Sequence, residues 1–481
     1  MERLSKRNVC LVGLTLFSMF FGAGNLIFPP FLGAMAGTNT WTAMAGFAVT
    51  AIGFPILGVI AVAKAGGLTG LAGRVHPGFA SVFTLLIYLS IGPCLAIPRT
   101  ASTSFEMAVI PFLHGRVSVG RAQLLYSCLF FAIAFLVALK PDKLTDRLGK
   151  VLTPCLLTLI AILFFGCILK PASVSGYGGP SEMYQKNPLV KGFLEGYLTM
   201  DTIAALNFGI IISLNISALG VKAEASIIKE TIKAGVIAGG ILVLVYAALA
   251  HIGAVAGGAF GSFENGAQTL NQMVRFLFGK AGLIMLAAIF FIACLNTCIG
   301  LISCCSRYFC TLLPRIGYRM WAFIFAVVSL IIANAGLNRI LEISVPVLNA
   351  IYPAAIVLIL LSFLFPDGKR WRLVYVCSIV LTGITSVAMA LYQIGITPLG
   401  RVLLLLPLHS LNLEWISPAA VGIVIGVLVR FRANKRNCFL SKPWGWIPSG
   451  YSQKAVFLFC PAVLLRITKY IKTKLVRFSG Y

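Results

Sequence analysis

Three short stretches carry residue types from which a binding site inside an apolar chain can be built. FFGAGNLIFPP, residues 20–30, puts Gly22, Ala23, Gly24 and Asn25 inside an apolar run, with Pro29 and Pro30 just beyond. GFLEGYLTMDTIAALNFGIIISLN, residues 192–215, interrupts a second run with Gly196, Thr199, Asp201, Thr202, Asn207 and Gly209. FIACLNTCIGLIS, residues 291–303, sets Asn296, Thr297 and Gly300 near the middle of a third. Glycine weakens a helix through backbone entropy, and proline removes a donor and pushes the residue before it out of the helical region. Backbone groups freed in apolar surroundings persist only where protein or an aqueous cavity meets them. A zwitterion and a cation can meet them: the N-terminus of a half-helix attracts a carboxylate, and unwound carbonyls hold a sodium ion. Gly22 and Gly24 also fit a plain close contact between helices. Asn296 and Thr297 offer an amide and a hydroxyl oxygen, hard ligands suited to sodium, and equally fit hydrogen bonding between helices.

Charged residues inside apolar runs are rare enough to be functional hypotheses by default. Asp201 is the best candidate of this kind, either as a ligand or, with Thr199, as an N-cap for a second half-helix. Arg99 and Glu106, in IGPCLAIPRTASTSFE (residues 91–106), are seven residues apart and share one face of a helix. A buried charge needs a partner, so Arg99 is expected to pair with Glu106, Asp201 or a neighbouring carbonyl. No nucleophile and base, and no metal set, stands out. His76, His114, His251 and His409 are far apart, and the thirteen cysteines form no CxxC pair. Cys294, Cys298, Cys304, Cys305 and Cys310 lie on one apolar run and read as small apolar filler in a reducing compartment. The chain is therefore not read as an enzyme.

The elements that position these residues follow from composition. The 481 residues are 59% hydrophobic and 11% charged, with a mean hydropathy of +0.96. Soluble domains carry about 25% charged residues, so the solvent for this chain is mostly lipid. A membrane span needs about 20 apolar residues. Twelve candidates lie at roughly 9–34, 41–63, 79–110, 122–139, 150–169, 193–218, 232–256, 281–305, 318–335, 341–365, 373–395 and 416–431. The first is too long for a signal peptide and lacks a small-residue cleavage site, so it reads as a retained span. The long connections 170–192 and 257–280 are rich in Gly, Ser, Asn and Pro and read as loops.

The net charge of +26 raises the question of nucleic acid. The basic residues lie mainly between the apolar runs, so no nucleic-acid partner is expected. With the N-terminus inside, 29 of the 39 Lys and Arg fall on the inner side and nine on the outer. That bias predicts cytoplasmic termini and an even number of crossings. Residues 432–481 form a basic cytoplasmic tail. Within it, KAVFLFCPAVLLRITKYIKTKLVRF (454–478) is apolar and then basic and interrupted by Pro461, which suits a segment lying on anionic lipid; a thirteenth span is the alternative.

Five blocks in order give a specific resemblance: FFGAGNLIFPP, IGPCLAIPRTASTSFE, GFLEGYLTMDTIAALNFG, FIACLNTCIGL and EISVPVLNAIYPAAI (342–356). Over roughly residues 5–430 the chain resembles the BrnQ-type branched-chain amino acid transporters, the LIVCS family. The resemblance implies an all-α polytopic protein of about 12 transmembrane helices with the LeuT-like 5+5 inverted repeat plus two extra helices, helices 1 and 6 being interrupted. Repeat one would span about 9–169, repeat two about 193–365 and the extra helices 373–431, making 1–431 the transporter domain. Gly22, Ala23, Gly24 and Asn25 match the family's GAGN, and Thr199, Met200, Asp201 and Thr202 match its TMD block. On that likeness Gly22, Ala23, Gly24, Asn25, Thr199, Asp201, Thr202 and Asn207 would contact substrate. Gly22, Asn25, Asn296 and Thr297 would hold sodium, with Thr297 where the LeuT-like fold places an ion-coordinating hydroxyl. Asn207, Asn296 and Arg307 depart from the family's usual residues.

The expected activity is import of leucine, isoleucine and valine across the bacterial inner membrane, a related amino-acid carrier with a different substrate being the alternative, with a small-molecule substrate and membrane lipids as partners and no resident cofactor. The coupling ion is sodium, through neutral oxygens, or a proton carried by Asp201 or Glu106. Apolar side chains of helices 3, 6 and 8 would take the aliphatic side chain. A channel is disfavoured because inverted repeats in one chain suit alternating access.

Overall fold

The structure, a computed structural model, describes residues 3–113, 118–139, 153–169, 176–261, 263–395 and 403–440. Among the described residues the elements are helical, without strands. All twelve expected spans carry helix. The first holds α1 (Lys6–Phe20) and α2 (Ala23–Ala36), the second α3 (Thr40–Ala48) and α4 (Phe54–Ala65), the third α5 (Pro77–Leu89) and α6 (Ala96–Ala108). Then come α7 (Val119–Ala138), α8 (Thr153–Leu169), and the sixth span's α9 (Pro188–Glu195) and α10 (Asp201–Ala218). The rest are α11 (Glu224–Phe260), α12 (Gly266–Leu312), α13 (Tyr318–Ala333), α14 (Leu337–Leu364), α15 (Arg372–Gln393) and α16 (Ile416–Leu440). Residues to Arg430 form one compact unit. The tail segment 454–478 and His114 lie outside the described residues.

Among the described residues, eight helical stretches are long and apolar enough to cross a membrane. One of these, Ala23–Ala65, contains most of the first two expected spans. α1 alone, at 15 residues, is too short because the chain breaks after it.

The two long connections are not plain loops. Residues 188–195 are α9, α11 runs to Phe260, and α12 begins at Gly266. The residues that read as loop formers are helix punctuation. Pro188 sits in the first turn of α9, where its missing donor costs nothing. Asn265 caps α12 by accepting from the Gln268 amide at 3.0 Å. Gly279, at φ 60°, bends α12 without ending it.

The prolines of the first span also differ from expectation. Pro29 and Pro30 lie inside α2 and do not end it. Their missing donors leave the Asn25 and Leu26 carbonyls without intrahelical partners. Tertiary contact holds the helix instead. A methyl group on Gly253 of α11 would strike the Pro30 carbonyl, one on Gly33 would strike that of Ala250, and one on Gly257 that of Ala34. α2 and α11 therefore touch backbone to backbone, the contact that small residues permit in lipid.

A second device ties the sixth span to the second. α3 and α4 are joined by a π turn, Val49–Gly53, which leaves a backbone carbonyl without its usual donor. The fully buried Thr50 sits in that turn. Its carbonyl accepts from Thr202 Oγ1 of α10 at 2.8 Å. Its hydroxyl donates to the Phe193 carbonyl of α9 at 2.7 Å. One residue thus holds both halves of the interrupted sixth span.

Thr50→Val removes that donor to the half-buried Phe193, a cost of about 0.5–1.5 kcal/mol. The purified variant is expected to melt at lower temperature than the wild type, with Thr50→Ser close to wild type. Equal melting of the Val variant would show that the bond contributes nothing.

Candidate functional site

The site is built from two broken helices. α1 ends at Phe20, Phe21 and Gly22 are extended, and α2 starts at Ala23. The break is therefore two residues long and lies at the front of the GAGN block, while Ala23, Gly24 and Asn25 form the first turn of α2. In the sixth span a 3-10 turn, Gly196–Thr199, follows α9, and Met200 at φ 67° separates it from α10. A side chain in this left-handed region costs roughly 1–2 kcal/mol, so its surroundings must hold it there. Met200 is the residue that precedes α10, and no side-chain cap bond is made from it. Neither Thr199 nor Asp201 takes the cap position. Thr199 Oγ1 accepts from the Asp201 amide only at 3.4 Å and donates to the Gly196 carbonyl at 2.9 Å.

Asn25 links the breaks. Its Oδ1 accepts from the Gly22 amide at 3.1 Å, closing the first break on itself. Its Nδ2 donates to Asp201 Oδ2 at 2.5 Å and also meets the Tyr246 hydroxyl. Tyr246 of α11 donates to the same carboxylate oxygen at 3.2 Å. All three are buried. The sequence reading missed Tyr246; the signal available was a phenol near the middle of the apolar run ILVLVYAALA, 241–250.

Arg99 of α6 takes the neighbouring carbonyls, one of the three partners expected for it. Nη1 donates to the Leu198 carbonyl at 2.6 Å and Nη2 to that of Thr199 at 3.3 Å. These are the last carbonyls before the Met200 break, at the negative end of that half of the span. The guanidinium also lies over the Phe28 ring, 5.6 Å from its centre. Glu106 is elsewhere and accepts from Asn265 at 3.1 Å.

On α12, Thr297 donates to the Phe21 carbonyl at 3.4 Å. Asn296 donates to Ser18 Oγ of α1 at 2.5 Å, a bond between helices, while its Oδ1 has no protein partner. Gly22 has no room to spare: an added Cβ would stand 2.5 Å from Thr297 Oγ1. At Gly24 it would stand 2.9 Å from Arg99 Nη2 and 3.2 Å from Thr199 Cα. The glycines thus serve both the break and close packing.

A small cavity lies between these elements. Gly22, Ala23, Gly24, Asn25, Arg99, Thr199, Asp201 and Thr297 line it. Its apolar wall includes Ile91 and Ala96 from the third span, Ala204 and Phe208 from the sixth, and Leu301 from the eighth, with Met19 and Phe20 added from the first. Thr202, Asn207, Asn296 and Glu106 are not in the lining. Thr202 points to the Thr50 carbonyl. Asn207 is buried, and neither amide atom has a protein partner. Among the described residues no cluster of three or more His, Cys, Asp and Glu could hold a metal.

The chemistry offered is recognition. The amides of Ala23, Gly24 and Asn25 have no intrahelical partner, because the first α2 bond is Leu26 to Gly22. Their residues line the cavity, and free N–H donors at a helix start suit an anion. The carbonyl end of α1 and Thr297 Oγ1 supply neutral oxygens of the kind sodium takes.

Residues 5–432 match the family described as branched-chain amino acid transport protein. The chain is 42% identical to the branched-chain amino acid permease BraB of Bacillus subtilis over 89% of its length and 96% of the relative's. It is 40% identical to the branched-chain amino acid transport system 2 carrier protein of Pseudomonas aeruginosa, over 89% and 97%. Two solved structures share the fold, which is the LeuT-like one. The nucleobase-cation-symport-1 family transporter Mhp1, closed with bromovinylhydantoin bound, has a TM-score of 0.56 at 14% identity over 88% of this chain and 93% of that one. MhsT in complex with L-phenylalanine has a TM-score of 0.54 at 16% identity, over 89% and 98%.

Gly22→Ala drives a methyl group into Thr297 and is expected to destroy ligand binding at this site. Adding Thr297→Ala removes the struck hydroxyl and methyl and is expected to restore the thermal stability lost in the single variant. A double variant no more stable than Gly22→Ala would show that the clash is not with Thr297.

Proposed function

The chain belongs to the branched-chain amino acid transport protein family, and on that premise we propose a sodium-coupled symporter that imports leucine, isoleucine and valine across the bacterial cytoplasmic membrane. The observation that carries this reading is the pairing of two helix breaks around one cavity with a polar end and an apolar wall. The free amides at the start of α2 suit the substrate carboxylate. Ile91, Ala96, Ala204, Phe208 and Leu301 suit an aliphatic side chain. Such a wall separates side chains differing by one methylene by only about 1–3 kcal/mol, so all three substrates share it. The carbonyl end of α1 with Thr297 would take sodium. Both termini stand on the cytoplasmic side in this reading, following the distribution of Lys and Arg.

One observation favours protons as the second reading. Asp201 is buried and bonded through Oδ2 only to neutral donors, Asn25 and Tyr246. A carboxylate so placed can carry a proton.

Uptake of radiolabelled leucine into proteoliposomes decides between them. An imposed sodium gradient alone is expected to drive accumulation, and saturating leucine is expected to block valine uptake. Accumulation with a proton gradient alone would overturn sodium coupling, and Asp201→Asn should then abolish it. Valine uptake untouched by leucine would overturn the shared pocket.

A further inference from the structure

Three buried side chains close a triangle of hydrogen bonds beside the cavity, and one of them comes from the unbroken helix α11. Asn25 Nδ2 donates to Asp201 Oδ2 at 2.5 Å and to the Tyr246 hydroxyl. That hydroxyl donates to the same Asp201 Oδ2 at 3.2 Å. Asn25 is 2% exposed, Asp201 3% and Tyr246 0%. Asn25 and Asp201 line the cavity and Tyr246 does not.

Counting protons fixes the direction of each bond. A primary amide has two N–H donors and a phenol has one. Asn25 Oδ1 accepts from the Gly22 amide at 3.1 Å, so its nitrogen faces the other way and both protons go to Asp201 and Tyr246. The phenol oxygen accepts from Asn25, which leaves its single proton for Asp201 Oδ2. Turning the Asn25 amide over would set acceptor against acceptor at Asp201 and donor against donor at Gly22. The guanidinium of Arg99 is the counter-charge of Asp201, but its Nη groups bond the carbonyls of Leu198 and Thr199. Asn25 and Tyr246 are what orient Oδ2.

Tyr246 is itself held in place. Its ring lies edge-on to Phe47 of α3, 5.5 Å between centres. Tyr246, Ala250, Gly253 and Gly257 follow one another along one face of α11. The last three are the residues against which α2 packs backbone to backbone. The face that sets how α2 lies on α11 therefore also presents a hydroxyl to the first turns of α2 and α10.

We propose that Tyr246 is a positioning residue of this site: its hydroxyl fixes the Asn25 amide and the Asp201 carboxylate, and so holds the two helix breaks in register with α11. Asn25 is then a tie between the breaks, with no side-chain N–H left for a ligand. Tyr246 acts on the Gly22 amide only through Asn25. The proposal goes beyond the carrier reading above, and its first readout does not depend on that reading.

Tyr246→Phe keeps the ring against Phe47 and removes only the hydroxyl. Hydrogen–deuterium exchange of the purified full-length protein without ligand is the first test. Peptides containing Gly22 and Asp201 are expected to exchange several-fold faster in the variant, while α11 around position 246 exchanges as in the wild type. A role confined to packing would change α11 and leave the breaks alone. Asn25→Ala removes the acceptor of the Gly22 amide directly. Adding Tyr246→Phe to it is expected to speed exchange at Gly22 no further. Equilibrium binding of radiolabelled leucine to Tyr246→Phe is expected to weaken about tenfold or more, the loss of one hydrogen bond to a charged group. The proposal is overturned if Tyr246→Phe exchanges at Gly22 as slowly as the wild type, or if the combined variant exchanges there faster than Asn25→Ala alone. It is also overturned if Tyr246→Phe binds leucine with wild-type affinity. A wild type that binds no branched-chain amino acid would instead defeat the carrier reading, and the exchange results would still decide the role of Tyr246.

Discussion

Helix ends within an apolar surrounding cannot be left to water, and the arrangement of this molecule follows from that constraint. Two spans stop and restart near their middles, and each break exposes donors on one side and acceptors on the other. The Gly22 amide is taken by Asn25, the Phe21 carbonyl by Thr297, and the Leu198 and Thr199 carbonyls by Arg99. Among the donors of the first break, the first-turn amides of α2 remain without an intrahelical partner. The residues that carry these amides line the cavity.

Such breaks must be held in place by helices that are not broken. α11 runs unbroken for 37 residues and receives α2 through glycines that let the backbones touch. It also supplies Tyr246, so the same helix that braces α2 bonds Asp201. The π turn at Val49–Gly53 plays the corresponding part for the sixth span, with Thr50 bonded to both of its halves. Close packing on glycine and hydrogen bonding to freed carbonyls are the two forces available here, since lipid gives little hydrophobic drive between helices.

The charge pattern of the cavity follows from the same economy of partners. Arg99 is anchored by carbonyls and Asp201 by an amide and a phenol, which orients both side chains. Asn296 and Asn207 show the other outcome. Asn296 donates through Nδ2 to Ser18 and is off the cavity wall, and Asn207 is buried off that wall with no protein partner. Asparagine inside an apolar run announces a polar contact but not which contact.

Much of the architecture was legible in the sequence because hydropathy alone decides which segments can enter lipid. All twelve apolar runs carry helix, and of the flagged residues Gly22, Ala23, Gly24, Asn25, Arg99, Thr199, Asp201 and Thr297 line one cavity while Glu106, Thr202, Asn207 and Asn296 do not. The sequence also located both interruptions to within a few residues, because Gly, Asn and Asp are poor residues for an unbroken span. It misplaced Pro29 and Pro30, which it read as part of the break, and read α9 and the start of α12 as loop. In each case a neighbouring backbone or a cap overrides local propensity. Composition by itself determined that this is a multi-pass helical membrane protein and which polar residues it buries. Only the tertiary structure decided that Arg99 meets carbonyls and not Glu106, that Tyr246 joins the site, and that Thr202 and Asn296 face other helices. A side chain's direction depends on how helices far apart in sequence pack against each other, and no local pattern encodes that.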